Sequence, residues 1–292
     1  MPNLKQTKTK IKSVQNLGKI TKALEIVSTI KLQKNKAKAE GMKPYFLSLM
    51  QMVAILAGQI SIFDPVSTTS GRSLIILMTS EKWLCGSTNS KLFRMLTSEY
   101  HDRLDTCDFF VIGKKWFEFA TRNNYTIVGH ITMGDEVTES QLLPLFQFFD
   151  TAVKNYTDIH ILFNFFKNTL IQIPVMMPLY PLTESDFQIF VDQLELPLAI
   201  DHHPALDNLV VEPSLAIIKL ELQKQIRNYL IMAATLQNKV WEHASRMIAM
   251  KSAKDNSLTF VKKLTLTYNK LRQAIITKEI SEIVSAKIAL ED

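Results

Sequence analysis

Two residue types are scarce in this chain of 292 residues, and each scarcity excludes a class of protein. The two cysteines, Cys85 and Cys107, are too few for a disulfide scaffold or a cysteine-based zinc cluster, and they suit a reducing compartment. Only eight glycines are present, which argues against a turn-rich all-β fold and favours long helices. The apolar fraction of 47% and the charged fraction of 21% predict a chain that is mostly ordered.

The motifs that hold nucleotides in α/β proteins are also missing. No phosphate loop of the form G-x-x-x-x-G-K-[ST] occurs, and residues 83–87 stand where a G-x-G-x-x-G turn would follow the first predicted strand. The adjacent His202 and His203 do not suit one metal ion, and Cys85 has no flanking histidine to activate it as a nucleophile. One predicted loop holds three acidic residues whose spacing does not indicate a functional pair: Asp186, Asp192 and Glu195. We therefore expect no active site, no metal and no bound cofactor.

No membrane-directing segment is evident. The lysine-rich start has no apolar core with a cleavage site behind it, which argues against a secretory signal. Residues 44–63 are uncharged and reach the length of a membrane span. Their large apolar residues fall in steps of three and four, however, which predicts one buried stripe of a helix that packs on protein. These residues are Phe46, Leu49, Val53, Leu56, Ile60 and Phe63.

Helix breakers are absent from the last part of the chain, where the final glycine is Gly134 and the final proline Pro213. Apolar residues recur there in alternating steps of four and three, with a polar gap at Lys254 and Ser257, which predicts a coiled coil about 110 Å long. A helix of this length needs a packing partner along its length. The repeat consists of Leu222, Ile226, Tyr229, Ala233, Leu236, Val240, His243, Met247, Met250, Val261, Leu264, Tyr268, Leu271 and Ile275, with His243 as a buried structural residue.

The N-terminal segment supplies the predicted partner. Residues 3–40 contain one glycine and no proline, and we expect Gly41 and Pro44 to interrupt the helix. The first forty residues carry ten lysines and two acids, a net charge of +8, which predicts a face for an acidic partner or, alternatively, a solvated face or a nucleic-acid arm. One predicted face holds Lys5, Lys8, Lys12, Lys19 and Lys22, and the opposite, apolar face holds Val14, Leu17, Ile20, Leu24 and Val27.

The middle of the chain alternates short apolar runs with helical stretches. Strands are predicted at 74–78, 109–112, 125–128 and 159–166, with a weaker one at 173–179 that contains two prolines. Helices are predicted at 89–104, with Asn89 as N-cap, and at 115–123 and 138–154. The predicted fold is α/β: an antiparallel coiled coil of the terminal helices (1–68 and 208–292) plus a small Rossmann-like α/β domain (69–207).

Three parts of the chain resemble one family. Residues 13–16 and 19–27 resemble the N-terminal helix of the gamma subunit of F-type ATP synthases. Residues 245–251, with Asp255 and Asn256, and residues 266–284 are similar to the C-terminal signatures of that family. The middle of the chain also matches family positions, at residues 84–86, at Asn89 and at residues 111–115. The resemblance therefore covers the whole chain in order.

The resemblance implies a rotor shaft without an active site or cofactor of its own. Such a shaft turns between three alpha and three beta subunits at one end and the epsilon subunit and the c ring at the other. It couples ion flow through the c ring to ATP synthesis or hydrolysis. The resemblance implies no nucleic-acid partner. It also implies that the chain is associated with the membrane only through other subunits, on the cytoplasmic side of a bacterial inner membrane. A scaffold for other membrane machinery, a stand-alone α/β enzyme and a nucleic-acid binder are the alternatives.

The resemblance also implies contact residues. Arg272 and Gln273 are expected to meet an acidic catch loop of beta, and the other expected head contacts are Arg246, Thr277, Glu279, Lys22 and Leu24. Contacts of the globular domain are expected at Trp83, Cys85 and Asn89. Trp83 stands where the family usually has glycine, which predicts either a different backbone or an aromatic contact with a neighbouring subunit. Residues 185–212 also depart from the family pattern.

Overall fold

The computed structural model describes residues 3–56, 59–63, 71–86, 88–100, 104, 106–168, 172–196 and 211–291. The helices are α1 (Leu4–Gly41), α2 (Lys43–Leu56), α3 (Thr88–Tyr100), α4 (Lys114–Arg122), α5 (Glu139–Ala152), α6 (Glu184–Gln193) and α7 (Leu215–Glu291). The strands are β1 (Ser73–Met78), β2 (Cys107–Ile112), β3 (Thr126–Ile131), β4 (Asp158–Phe166) and β5 (Gln172–Tyr180). Two compact units result: the sheet unit, Thr29–Ser245, and the paired-helix unit, formed by the residues up to Ser28 and from Arg246 onward. These units divide both long helices, so they do not coincide with the three segments drawn from the sequence.

The sheet unit is built on five strands in the order β3-β2-β1-β4-β5. The first four strands are parallel, and β5 joins β4 antiparallel at one edge. Strand β1 lies at the centre, where Leu74 to Met78 are fully buried, as a run of apolar residues between two covered faces requires. Pro174 and Pro178 lie in the edge strand, where a missing backbone donor is tolerated.

The two faces of the sheet have separate apolar cores. On one face α3 and α4 contribute Leu92, Leu96 and Trp116 to a core that includes Ile75 and Leu77. The other core joins alternate residues of the strands to α2, α5, α6 and the first part of α7. Helix α2 contributes Phe46, Leu49 and Leu56 of the predicted stripe, whereas Ile60 and Phe63 follow its end. Within the part of the chain that is described, no helix has the length and apolar character needed to cross a membrane.

Helix α7 is buried far more completely in the sheet unit than its heptads predict. The heptad positions Leu236, Val240 and His243 are buried as expected. The intervening Ile231 and Trp241 are buried too, and every residue from 238 to 245 is buried. A heptad describes one seam between two helices, but here α7 also belongs to the core of a sheet, so this segment is a central helix of an α/β domain.

The paired-helix unit confirms the predicted antiparallel coiled coil. Gly18 of α1 faces Ser257 of α7, and a Cβ added at Gly18 would lie 3.6 Å from the Ser257 Cβ. Lys254 Nζ lies 2.8 Å from the Glu25 carboxylate. The α7 side of the seam repeats every three or four residues, with buried or half-buried Met250, Lys254, Ser257, Val261, Leu264, Tyr268 and Leu271. The predicted seam position Ile275 is exposed, which was wrong because the pairing ends before it.

The predicted apolar seam of α1 was wrong at three of its five positions, whereas Val14 and Leu24 are half-buried. Leu17, Ile20 and Val27 are exposed, and the seam side chains Thr21 and Ser28 are buried. At these three positions the seam lies one residue later, at Gly18, Thr21 and Ser28, a rotation of about 100° around the helix. Small residues occupy this seam and allow the two helices to approach closely. The predicted lysine face is confirmed as exposed at Lys5, Lys8, Lys12, Lys19 and Lys22.

A helix stands where the sequence indicated a loop with acidic residues. Asp186 and Asp192 lie in α6, and Glu195 lies just beyond its end with a positive φ of 50°. The Asp186 backbone N–H donates to Thr183 Oγ1 at 3.2 Å, and the Thr183 N–H donates to the Asp186 carboxylate at 3.4 Å. This capping box explains the acidic residue at 186, and the pattern T-x-x-D was the missed signal. His202 and His203 lie outside the described residues.

Candidate functional site

The last stretch of α7 has an exposed surface all around. The seam with α1 ends at Leu271, and every described side chain from residue 272 to residue 287 is exposed. Residues 272–291 correspond to about 30 Å of helix at a rise of ~1.5 Å per residue. A helix of this length gains most of its stability from packing, so this stretch is a candidate contact surface for another chain.

One face of this stretch combines apolar and polar candidates. At ~100° per residue, Arg272, Gln273 and Thr277 fall within an arc of about 140°, and Glu279 lies at its margin. The same arc carries a row of exposed branched side chains, namely Ile276, Ile280, Ile283 and Val284. The opposite face is polar and includes the Lys278–Glu282 pair, with Nζ 3.5 Å from the carboxylate. We call the arc with the four apolar residues the tip face. An exposed apolar row of this kind is typical of an interaction site.

Helix α1 brings a second exposed surface to the paired-helix unit. Lys22 is exposed and Leu24 is half-buried, so both keep surface for a partner. Leu17, Ile20 and Val27 are exposed as well and share one outer side of α1, opposite the lysine face. Arg246 differs from the other expected head contacts because only 8% of it is exposed. Its packing within the chain leaves little of it for another subunit to reach.

The candidates on the sheet unit lie in the loop after β1. Trp83 is 71% exposed, and Lys115 Nζ lies 3.5 Å from the centre of its ring. The positive φ of 69° belongs to Leu84 rather than to Trp83. Trp83 is therefore accommodated without the left-handed backbone conformation that favours glycine. Its indole lies beside a cavity of about 260 Å³ that also includes Phe93 and Arg122.

Cys85 and Asn89 hold this loop in place from inside. Cys85 is buried, and its thiol donates to Ser80 Oγ at 3.4 Å. Asn89 was predicted as the N-cap of a helix, but α3 already begins at Thr88. The Asn89 side chain instead accepts from the Ser80 N–H at 3.3 Å and donates to Ser80 Oγ at 2.9 Å. The structure thus brings Trp83, Cys85 and Asn89 together, with the tryptophan as the exposed member.

The crevice where a doubly wound sheet would bind a nucleotide is filled by α7. Strand β2 lies on one side of β1 and strand β4 on the other, so the strand order reverses its direction at this place. The topological switch point of the sheet therefore lies between β1 and β4. At the end of β4, Asn238 Oδ1 accepts from the Asn164 N–H at 3.2 Å. Beside it, Lys239 Nζ lies 3.0 Å from the Glu242 carboxylate, with 3% and 1% of these side chains exposed. Sequence patterns did not reveal this plug, since its residues occur within a long heptad helix.

No group of three or more histidine, cysteine or acidic residues in the described parts of the chain is arranged to hold a metal ion. Three exposed surfaces remain as candidate contact sites: the tip face, the outer side of α1 and the Trp83 loop.

Comparisons with known proteins agree on one family. A family model described as ATP synthase matches residues 3–290. The ATP synthase gamma chain of Xanthomonas axonopodis pv. citri is 32% identical over 296 aligned positions, which cover 98% of this chain and 99% of the relative. The gamma chain of Psychrobacter cryohalolentis is 31% identical over 299 positions, covering 99% and 100%.

Solved structures show the same fold. The rotor of the Euglena gracilis mitochondrial ATP synthase contains a chain with a TM-score of 0.65 and 16% identity, covering 94% of this chain and 98% of that one. The central stalk of the Tetrahymena thermophila mitochondrial enzyme contains another, with a TM-score of 0.61 and 21% identity, covering 80% and 99%. With a family match over nearly its whole length and curated relatives of equal length, this chain belongs to the ATP synthase gamma-chain family.

Proposed function

We propose that this chain is the central rotor shaft of an F-type ATP synthase. In this role it connects a head of three alpha and three beta subunits to the epsilon subunit and the c ring. It couples ion flow through the ring to ATP synthesis or hydrolysis in the head. The observation that carries the proposal is the tip face on a helix that continues past its partner, in a chain of the gamma family.

The chemistry of the paired-helix unit suits a shaft that must turn inside a sleeve. The apolar residues of the tip face make non-directional contacts, which change little as the shaft rotates. The exposed lysines of α1 make ion pairs that are weak and screened by salt, so they exchange easily between acidic partners. Arg272 can grip a carboxylate with two parallel hydrogen bonds, which suits a contact that transmits force.

The remaining expectations follow from this role. The chain would contribute no catalytic residue and no cofactor, since the nucleotides belong to the head subunits. It would reach the membrane only through its partners, on the cytoplasmic side of a bacterial inner membrane. The segments 1–68 and 208–292 would contain the shaft helices, whose parts within residues 29–245 also pack in the sheet unit, and 69–207 would supply the rest of the globular foot. The solved Euglena gracilis assembly, whose title names OSCP, F1 and c-ring, contains a chain of the same fold, which supports an association with the head and the c ring.

Assembly with the head tests the proposal. We co-express the chain with the alpha and beta subunits of its organism, then measure the native mass and the ATPase activity of one sample. The expected particle holds one copy of this chain per three alpha and three beta subunits. The Arg272→Ala/Gln273→Ala variant should lose a charge-assisted contact of about 1.5–3 kcal/mol, so assembly or ATPase activity should fall about tenfold or more.

The matched control is Lys278→Ala on the opposite face of the same helix stretch. It also removes a long cationic side chain, but it should leave mass and activity unchanged. A chain that stays alone while alpha and beta assemble without it would contradict the rotor proposal. That result would favour a scaffold attached to other membrane machinery.

The exposed indole supports a second contact, between the sheet unit and a rotor-side subunit. Trp83→Ala should weaken retention of the epsilon subunit and the c ring by about tenfold, as expected for an interface aromatic. The fold should persist, because 71% of the residue is exposed. Trp83→Phe, which keeps a ring over Lys115, should bind almost normally. If the alanine variant retains the epsilon subunit and the c ring as well as the unmodified chain does, the indole makes no such contact.

A further inference from the structure

A stripe of lysines on α1 holds one loop of the sheet unit. Lys31, Lys34 and Lys38 follow the spacing of one helix face and reach three consecutive residues between β3 and α5. Lys31 Nζ lies 2.6 Å from the Asp135 carboxylate. Lys34 pairs with the Glu136 carboxylate, and Lys38 donates to the Val137 carbonyl oxygen. Successive lysines on one face of α1 therefore contact successive residues of one loop.

A buried amide fixes the same turn of α1. The Asn35 side chain is 3% exposed. Its Nδ2 donates to the Lys31 carbonyl at 2.9 Å and to the Asp135 carbonyl at 3.3 Å. The loop is therefore bound to α1 through both its side chains and its backbone.

A third element meets the same carboxylate. Lys82, in the loop after β1, places Nζ 2.9 Å and 3.1 Å from the two Asp135 oxygens. Its neighbour Glu81 accepts from the Met133 N–H at 2.5 Å. Burial alone would raise the pKa of Asp135, but Lys31 and Lys82 hold that pKa well below its ordinary value. Asp135 thus stays charged and joins α1, the loop after β1 and the loop after β3.

The most exposed of these pairs contributes little to folding stability. Lys34 and Glu136 are both 62% exposed, and such pairs contribute about 0–1 kcal/mol each. Their geometry is more informative than their energy. Packed apolar side chains interdigitate and transmit strain, so they resist both separation of α1 from the sheet and rotation of α1 about its own axis. Ion pairs on one side of α1 act at a distance from that axis and oppose such rotation.

We propose that this cluster, the α1 clamp, transmits torque between α1 and the α/β sheet. The clamp consists of Lys31, Lys34, Lys38, Lys82, Asp135 and Glu136, with Asp135 as its central positioning residue. The inference rests on the proposed rotor function, because torque matters only if the chain rotates under load. Without the clamp, α1 would yield where it meets the sheet, and part of each rotation would be lost.

The test uses the complete synthase in membrane vesicles, with ATP hydrolysis and ATP-driven ion uptake measured together. The Asp135→Asn/Glu136→Gln variant removes both carboxylates with little change in shape. We expect the rate of ATP hydrolysis to remain near that of the unmodified complex. The number of ions pumped per ATP should fall at least twofold when a steep ion gradient opposes pumping. The control Glu139→Gln changes an exposed carboxylate just beyond the loop, for which the described residues give no ion pair, and should leave the ratio unchanged.

An exchange of charges separates a clamp from a merely structural role. Lys34→Glu and Glu136→Lys should each lower the pumping ratio, and the combined variant should recover it. A second readout needs no rotation: spin labels at Ala37 and Ser140 should give a broader distance distribution in the Asp135→Asn/Glu136→Gln variant than in the Glu139→Gln control.

The outcomes distinguish the two proposals. Failure of the unmodified chain to join the synthase overturns the rotor function itself, and the clamp with it. If the unmodified complex pumps and the double carboxylate variant pumps equally well against the same gradient, the clamp alone is overturned. The clamp is also overturned if the number of ions pumped per ATP is unchanged although the distance distribution of the spin labels broadens. In that case α1 would be loosened without loss of coupling.

Discussion

Glu242→Leu is expected to destabilise the chain by about 3–5 kcal/mol, the usual effect of removing one partner of a buried ion pair. Lys239 and Glu242 are 3% and 1% exposed, and their charged atoms lie 3.0 Å apart. Leucine at position 242 would leave the Lys239 ammonium in the core of the sheet unit without this carboxylate. A buried charge that has lost its opposite charge is costly, because nothing in the core replaces its solvation by water.

Urea unfolding of the full chain measures this effect, with a matched double variant. In Lys239→Met/Glu242→Leu both charges are replaced by apolar groups of similar volume, so most of the lost stability should return, and the variant could even exceed the original. Lys278→Ala removes an exposed paired lysine and should change the unfolding free energy by no more than about 0.5 kcal/mol. A Glu242→Leu chain as stable as the unmodified one would mean that water reaches this pair.

The second large effect is expected at Gly113, where β2 ends and α4 begins. Gly113 has a φ of 106°, a conformation that side chains rarely adopt. A Cβ at this position would lie 2.5 Å from the Thr79 carbonyl oxygen, which belongs to the backbone and cannot turn aside. Gly113→Ala should therefore cost about 3 kcal/mol through strain and displacement of the loop after β1.

Gly41→Ala provides the comparison for this position. A Cβ at Gly41 meets nothing within 4 Å, and no positive φ is found there. Alanine at this position should be neutral or should stabilise the chain by about 0.4–1 kcal/mol. Thermal unfolding of both variants decides the matter. Equal unfolding temperatures would show that the turn after β2 can relax to an ordinary backbone at little cost.

The sequence predicted the strands well because their signal is local. A run such as Leu74 to Met78, apolar throughout and bounded by polar residues, has few alternatives to a buried strand. The prolines of β5 weakened its signal, and the structure places that strand at an edge, where they are tolerated. The paired helices were predictable because an unbroken helix of this length must pack against something.

The failures concern which face of a helix is buried, which depends on the partner. In α1 hydrophobicity predicts a seam of Val14, Leu17, Ile20, Leu24 and Val27, but Leu17, Ile20 and Val27 are exposed and the structure buries Thr21 and Ser28 instead. In a rotor the larger apolar residues would be kept for other subunits, so hydrophobicity alone selects the wrong face. Similarly, the heptads of α7 could not show that residues 238–245 fill the crevice of a sheet formed far earlier in the sequence. The tip residues Arg272 and Gln273 came from resemblance alone.

The place of α7 in the core has a consequence for the order of synthesis. Leu230, Ile231 and Ala234 belong to the same apolar core as Leu74 and Ile76 of the central strand. All five strands precede α7 in the chain, so during translation the sheet is complete before this part of its cover exists. The nascent chain must therefore present an unfinished apolar face until the ribosome has released the first part of α7. A fragment that stops before Leu215 would keep that face, which makes it a natural target for chaperones and a poor candidate for study as an isolated domain.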